Sequence, residues 1–240
     1  MGNPTAAMLV IGDEILSGRT RDSNMHYLAG VLTEKGIALT EVRVVADDHA
    51  AIVAAARALG ASHTHVFTSG GIGPTHDDIT ADAIAAAFAV PITQRADAMA
   101  LLGAHYAARG LPFNEARQRM ARIPDGAELI ENPVSIAPGF SLGNVHVMAG
   151  VPAVFQAMVA SVVPKLVGGL PLQSQSLRLL SGEGDIATAF AAIAANYPDL
   201  SMGSYPFTQD GRYGTNLVVR GTEMARIDLA MTDLRATFAP

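Results

Sequence analysis

"THVFTSGGIGPTHDDITADAIAAAF", Thr64 to Phe88, holds one complete step of an α/β fold. Thr64 to Thr68 is a short apolar run bounded by polar residues, as a buried strand is. Three glycines and a proline follow, and the apolar spacing then predicts a helix from about Asp78 to Phe88, with Ile84 and Phe88 pointing inward. The same stretch poses a chemical conflict. Backbone N–H groups in such a loop, together with the positive end of the following helix, attract an anion. Asp77 and Asp78 beside them would repel it.

Upstream, the pattern repeats. Met8 to Ile11 reads as a strand that stops at Gly12-Asp13-Glu14. Ser23 to Lys35 reads as a helix through Met25, Leu28 and Leu32, with Asp22 or Ser23 as N-cap and Gly36 as its stop. Ile37 to Val45 is a β-branched strand, and Asp48 to Leu59 an Ala-rich helix ended by Gly60. Strand and helix in strict alternation predict a doubly wound, mostly parallel α/β sheet, because right-handed crossovers cover both of its faces.

Downstream, helices are predicted over Ala96 to Arg109, Glu115 to Arg122 and Pro152 to Val167, and strands over Glu128 to Ile130 and Val145 to Met148. The pattern changes at Gly168-Gly169-Leu170-Pro171. Beyond it, Ser176 to Leu180 is strand-like, and Ile186, Phe190, Ile193 and Tyr197 mark one helix face. Ser201 to Phe207 and Tyr213 to Val219 form a hairpin around Asp210-Gly211, and Ile227, Met231, Leu234 and Phe238 mark a last helix. This is a small α+β domain of β-α-β-β-α order. The division expected is residues 1–168 and 174–240.

The 240 residues are half hydrophobic and 16% charged, which implies a sizeable packed core. No cysteine is present, so a disulfide scaffold, a thiolate nucleophile and a Cys-based zinc site are excluded, and a cytoplasmic setting is expected. No apolar run approaches the ~20 residues of a membrane span, and the first residues lack the basic region of a signal peptide. A net charge of −6 argues against a nucleic-acid-coating surface. Tyr205, Phe207 and Tyr213 could stack bases, but no basic patch accompanies them and they are expected in the core.

Four stretches could carry chemistry. In the glycine loop, Ser69, Gly70, Gly71, Gly73, Thr75, His76, Asp77 and Asp78 are the candidates. Part of this pattern is explained by a Thr75-x-x-Asp78 capping box alone. The acid pair is compatible with a phosphate ligand when a divalent cation lies between them, since Mg²⁺ is commonly held by one or two carboxylates plus phosphate oxygens. Asp77 and Asp78 are therefore the expected metal ligands, Asp77 the better of the two, with Asp78 able to ligate or to cap the helix. The second stretch is Gly12 to Gly18, with Asp13, Glu14 and Ser17. In a sheet of order 2-1-3 it would face the glycine loop across the topological switch point, where ligands bind. The third stretch is Asn132 to Phe140, with Pro138 and Gly139, together with Ala149, Gly150 and Pro152, where a helix start could meet a second anionic group. The fourth is Arg117, Arg119 and Arg122, which could reach a phosphate or a partner subunit but are better read as a solvated face. His63 and His65 lack a third ligand nearby and read as structural.

These residues resemble the MoaB/Mog molybdopterin-binding family, most closely the amino-terminal domain of CinA-like proteins. The resemblance is carried by "GDEILSG" with "DSN" (Gly12 to Asn24), "TSGGIGPTHDDIT" (Thr68 to Thr80), "NPVSIAPGF" (Asn132 to Phe140) and "AGVP" (Ala149 to Pro152), and spans about Met8 to Leu166. The family usually has Pro where Ala149 stands. "GSYPF" (Gly203 to Phe207) also looks like the small domain that follows in CinA-like proteins and in the amino-terminal region of eukaryotic FAD synthases. The resemblance implies a three-layer α/β domain that binds molybdopterin or a nucleotide through its phosphate. It implies Asp13, Glu14 and Asn24 as a wall opposing the glycine loop. Cleavage of pyrophosphates such as FAD or ADP-ribose with Mg²⁺, Mn²⁺ or Co²⁺, and a homo-oligomer (dimer or trimer), are implied too. The alternative is a non-catalytic pterin or nucleotide module. The amidase domain of CinA and the adenylylating domain of FAD synthases are not among these residues.

Overall fold

The computed structural model describes residues 2–238, which divide into two compact units, one up to Gly169 and the other from Leu170. In chain order the first unit holds β1 (Thr5–Ile11), α1 (Asp13–Leu16), α2 (Asn24–Glu34), β2 (Ala38–Val45), α3 (His49–Ser62), β3 (His65–Ser69) and α4 (Thr80–Phe88). It continues with β4 (Ile92–Gln94), α5 (Ala96–Ala108), α6 (Glu115–Arg119), β5 (Arg122–Pro124), β6 (Glu128–Ile130), β7 (Gly139–Leu142), β8 (Val145–Met148) and α7 (Pro152–Val162).

Six strands form one sheet in the order β2-β1-β3-β8-β7-β6. The first four are parallel, and β7 and β6 complete the sheet antiparallel. Strand β1 shows why the sheet is covered on both sides. Ala7, Leu9 and Ile11 enter one core with residues of α3, α4 and α5, while Ala6, Met8 and Val10 enter a second core with α2 and α7. Successive side chains leave opposite faces of a strand, so a strand apolar at every position needs two helical layers. The expected α/β fold is present: helix, mostly parallel sheet, helix.

Several boundaries move for local reasons. Helix α4 starts at Thr80, two residues later than the apolar spacing predicts, because the Thr80 N–H and hydroxyl turn back to the glycine loop. The predicted helix over Glu115 to Arg122 ends at Arg119, since Arg122 pairs with Gln94 in the small β4–β5 hairpin. Helix α7 ends at Val162 in a 3-10 turn over Val163–Lys165, where Pro164 lacks an N–H. Strand β7 was not anticipated; four residues give no usable period.

The second unit holds β9 (Gln173–Leu179), α8 (Glu183–Ala194), β10 (Ser201–Gln209), β11 (Arg212–Gly221) and α9 (Met224–Phe238). Its antiparallel sheet has the order β10-β11-β9, and the element order is the β-α-β-β-α expected. Asp210 (φ 50°) and Gly211 (φ 75°) give the β10–β11 hairpin the left-handed pair that a tight turn requires. Leu217, Val219, Ile227, Met231 and Leu234 make the core. The aromatic residues expected there lie elsewhere. Tyr205 and Tyr213 are 48% and 76% exposed, and the Arg178 guanidinium covers the Phe207 ring at 3.7 Å. Tyr205 pairs with Asn216, and so stands on the opposite sheet face from Leu217 and Val219, which pack against the helices.

Candidate functional site

The carboxyl ends of β1, β2, β3 and β8 meet at one end of the sheet and border a crevice of about 810 Å³. Gly12 follows β1, Asp47 follows β2, the glycine loop follows β3 and Gly150 follows β8. All four border the crevice, as expected at a topological switch point.

The glycine loop is held by its own backbone. Gly70 adopts φ +110°, and a Cβ there would lie 2.2 Å from the Ile11 carbonyl oxygen. Gly71 adopts φ +68°, and a Cβ there would lie 2.1 Å from the Thr80 hydroxyl. Only glycine lets β1, β3 and α4 approach this closely. The Gly70 N–H donates to the Met148 carbonyl (3.1 Å), and the Gly70 carbonyl accepts from Thr80 Oγ1 (3.0 Å). Thr80 N–H donates to the Gly71 carbonyl (3.0 Å).

The wall opposite is anchored by Asn24, which is buried at the start of α2. Its Nδ2 donates to Ser69 Oγ (2.8 Å) and to the Gly150 carbonyl (2.7 Å), joining three elements. Asp22 Oδ1 accepts from the Asn24 N–H (3.1 Å), so Asp22 rather than Ser23 satisfies the helix start.

The two neighbouring aspartates part company. Asp78 Oδ2 accepts from both the Thr75 N–H (2.8 Å) and the Thr75 hydroxyl (2.5 Å). This closes a turn within the loop and does not cap α4, whose first residue comes two positions later. Asp77 is exposed. The Thr75 hydroxyl, whose one proton it shares with Asp78, lowers its carboxyl most, followed by its own backbone N–H, with a smaller effect from His76. His76 lies almost wholly in solvent, 4.0 Å from Asp77.

Sequence inspection missed Asp47. Its Oδ2 accepts from the Asp13 N–H at 3.0 Å. Burial pushes its carboxyl up; the Asp13 N–H opposes that, and the charges of Asp13, Glu14 and Asp77 add to the rise. Asp47 therefore feels three carboxylates that follow the ends of two other strands. The signal was available, since Asp47 follows a strand end just as Asp13 does. Asn132 was also undervalued. It is buried, its Oδ1 accepts from the N–H groups of Val134 and Ser135 (3.1 Å each), and its Nδ2 donates to Ser135 Oγ (2.6 Å) and the Ala137 carbonyl (2.8 Å). It thereby holds the following loop, in which the β-branched Ile136 takes φ 67°, a conformation that persists only when its surroundings impose it.

The remaining candidates divide. Glu14, Gly73, Gly150 and Pro152 line the crevice. Asp13 is exposed and meets Asp47 through its N–H, and Ser17 closes the end of α1 against the Glu14 carbonyl (3.4 Å). Pro138 lies in a smaller cavity beneath the glycine loop, and Gly139 is the first residue of β7, paired with Ile130. Arg117 stacks on Tyr106 (4.4 Å), while Arg119 and Arg122, read as a solvated face, line that smaller cavity instead. The His65 and His146 rings lie 5.6 Å apart and tilted on neighbouring strands of the sheet, and burial, with His65 adding, pushes His146 down to about 4.

The donors around the crevice are hard oxygens, the class that Mg²⁺ and Mn²⁺ prefer. Among the described residues no three His, Asp or Glu side chains gather into a metal cage.

Residues 7–168 match the family model described as "probable molybdopterin binding domain", and residues 171–240 match the "FAD synthase, middle domain". A protein of Pyrobaculum calidifontis is 34% identical over 85% of this chain and 81% of its own length. A "CinA-like protein" of Myxococcus xanthus is 32% identical over 82% of this chain, which spans 50% of that relative. The crystal structure of CinA from Thermoplasma acidophilum, 32% identical, superposes on 68% of this chain and 97% of its own with a TM-score of 0.62. The chain belongs to the MoaB/Mog-type molybdopterin-binding domain family, in its CinA-like form.

Proposed function

We propose that the crevice binds a phosphate-bearing nucleotide or pterin and, with a divalent cation, cleaves its pyrophosphate bond. One observation carries this reading: the glycine loop and the carboxylates of Glu14, Asp47 and Asp77 face a single crevice whose volume suits a dinucleotide-sized ligand. The loop N–H groups bind and orient phosphate oxygens. Asp77, ionised well below neutral pH, offers a carboxylate to the cation, while Asp78 keeps the loop in shape through Thr75. The cation, when bound, neutralises phosphate charge and acidifies water. Asp47 borders the same crevice with its carboxyl raised above the usual carboxylate range, and in this reading it accepts a proton from an attacking water.

The test is release of AMP from FAD or ADP-ribose by the purified protein with Mg²⁺, Mn²⁺ or Co²⁺, followed by chromatography. Asp77→Asn should lower turnover at least about a hundredfold. Undiminished turnover in both Asp77→Asn and Asp78→Asn would remove the site from consideration. The second reading is a binding module without turnover, favoured by the lack of a preassembled metal cage among the described residues. Calorimetry showing tight binding with no product would establish it. The homo-oligomer implied by the family is tested separately by light scattering.

A further inference from the structure

Beneath the glycine loop lies a second, smaller cavity of about 20 Å³, bordered by Gly71, Gly73, Asp78, Asp82, Arg119 and Arg122. Gly71, Ile72, Gly73 and Asp78 border the large crevice as well, so the two spaces are neighbours that share part of their wall. The cavity has the size of one oxygen atom, not of a whole phosphate.

Its two arginines are left incomplete. Arg122 pairs with Asp82, but its Nε is buried without an acceptor. Arg119 has no carboxylate partner among the described residues. Its single side-chain hydrogen bond goes from Nη2 to the Asp78 carbonyl, at 3.5 Å, and its Nε is also buried without an acceptor. A buried guanidinium N–H without an acceptor is costly, and the oxygens it suits best are those of phosphate or carboxylate. The crevice beyond the loop carries Glu14, Asp47, Asp77 and Asp78 against one arginine, Arg19, so carboxylates outnumber cations there. A ligand with two adjacent phosphates thus meets carboxylates that require a cation on one side and a guanidinium that requires an anion on the other.

We infer that Arg119 is a positioning residue for a diphosphate: one oxygen of the second phosphate enters the neighbouring cavity and takes a terminal guanidinium N–H of Arg119, whose Nε stays buried. This rests on the phosphate reading of the crevice and sharpens it, because it makes the site selective for diphosphates over monophosphates. The loop N–H groups and the cation serve one phosphate; the second has Arg119.

The experiment is calorimetric titration of the full chain with inorganic pyrophosphate and with inorganic phosphate, each with and without Mg²⁺, for wild type, Arg119→Met and Arg119→Lys. Wild type should prefer pyrophosphate. Arg119→Met, which keeps most of the side-chain volume, should lose at least about tenfold in pyrophosphate affinity, because a charge-assisted hydrogen bond is removed. Its phosphate affinity should change less than about threefold, and Arg119→Lys should recover only part of the loss, since a point charge lacks the guanidinium fork. A melting temperature within a few degrees of wild type would show that the fold is intact. Equal pyrophosphate affinity in wild type and Arg119→Met overturns the role of Arg119 and leaves the crevice reading standing. Failure of wild type to bind pyrophosphate overturns the diphosphate inference, and if FAD and ADP-ribose also go unbound, the crevice reading falls with it.

Discussion

The Thr80 hydroxyl donates to the Gly70 carbonyl at 3.0 Å across ten residues of glycine loop, and the Thr80 N–H takes the Gly71 carbonyl at the same distance. One residue at the start of α4 therefore closes the loop twice, and both bonds turn carbonyls inward. The face left to the crevice is poorer in carbonyl oxygens and better suited to an anion.

Thr80→Val keeps the shape of the side chain and removes its hydroxyl, leaving the buried Gly70 carbonyl short of a donor. We expect a loss of about 1–3 kcal/mol in urea unfolding, with weaker nucleotide or pyrophosphate binding. Thr80→Ser should regain most of both. A Thr80→Val protein as stable as wild type would show that the loop does not depend on this bond.

Gly70→Ala places a Cβ 2.2 Å from the Ile11 carbonyl oxygen at a φ of +110°. Neither the backbone of β1 nor the left-handed conformation can adjust cheaply, so a loss of at least about 2 kcal/mol is expected. Calorimetric melting checks it. Retention of the wild-type melting temperature would mean that the loop has another conformation available.

Asn24→Ala removes the donor shared by Ser69 Oγ and the Gly150 carbonyl. The expected cost is about 1–3 kcal/mol, with the loss concentrated at the crevice. Hydrogen exchange should show faster opening of the segments around Ser69 and Gly150 and no change in the second unit.

His146 is pushed down to about 4 by burial, with the neighbouring His65 adding to the effect. Its unfolded value is near 6.5, so between these values the unfolded chain binds a proton that the folded chain refuses. Stability is complete above about pH 6.5 and falls as pH drops toward 4, by at most about 3 kcal/mol. Urea titrations at several pH values should show that slope, and His146→Phe should flatten it. An unchanged slope in the variant would assign the dependence to other groups.

Much of this molecule was legible without coordinates because its signals are local. Apolar residues repeat at periods of two or near four, Asp22 and Asp48 sit where helices need caps, and glycines stop them. These features place six alternating elements before Ala89 and set the β-α-β-β-α order after Gly169. From that order, and right-handed connection, follows the meeting of Gly12, Asp47 and Gly70 at one end of the sheet.

What the tertiary structure decided was partnership. Asn24 reaches Gly150 across 126 residues and Arg119 reaches Asp78 across 41; no local pattern encodes such distances, because packing of separate helices on the sheet creates them. The same is true of Asp77 and Asp78. The sequence allows Asp78 either to ligate or to cap, and only the fold decides between these, because successive residues in a turn point different ways. Thr75 takes Asp78 into the loop, and Asp77 is left facing the solvent and the crevice.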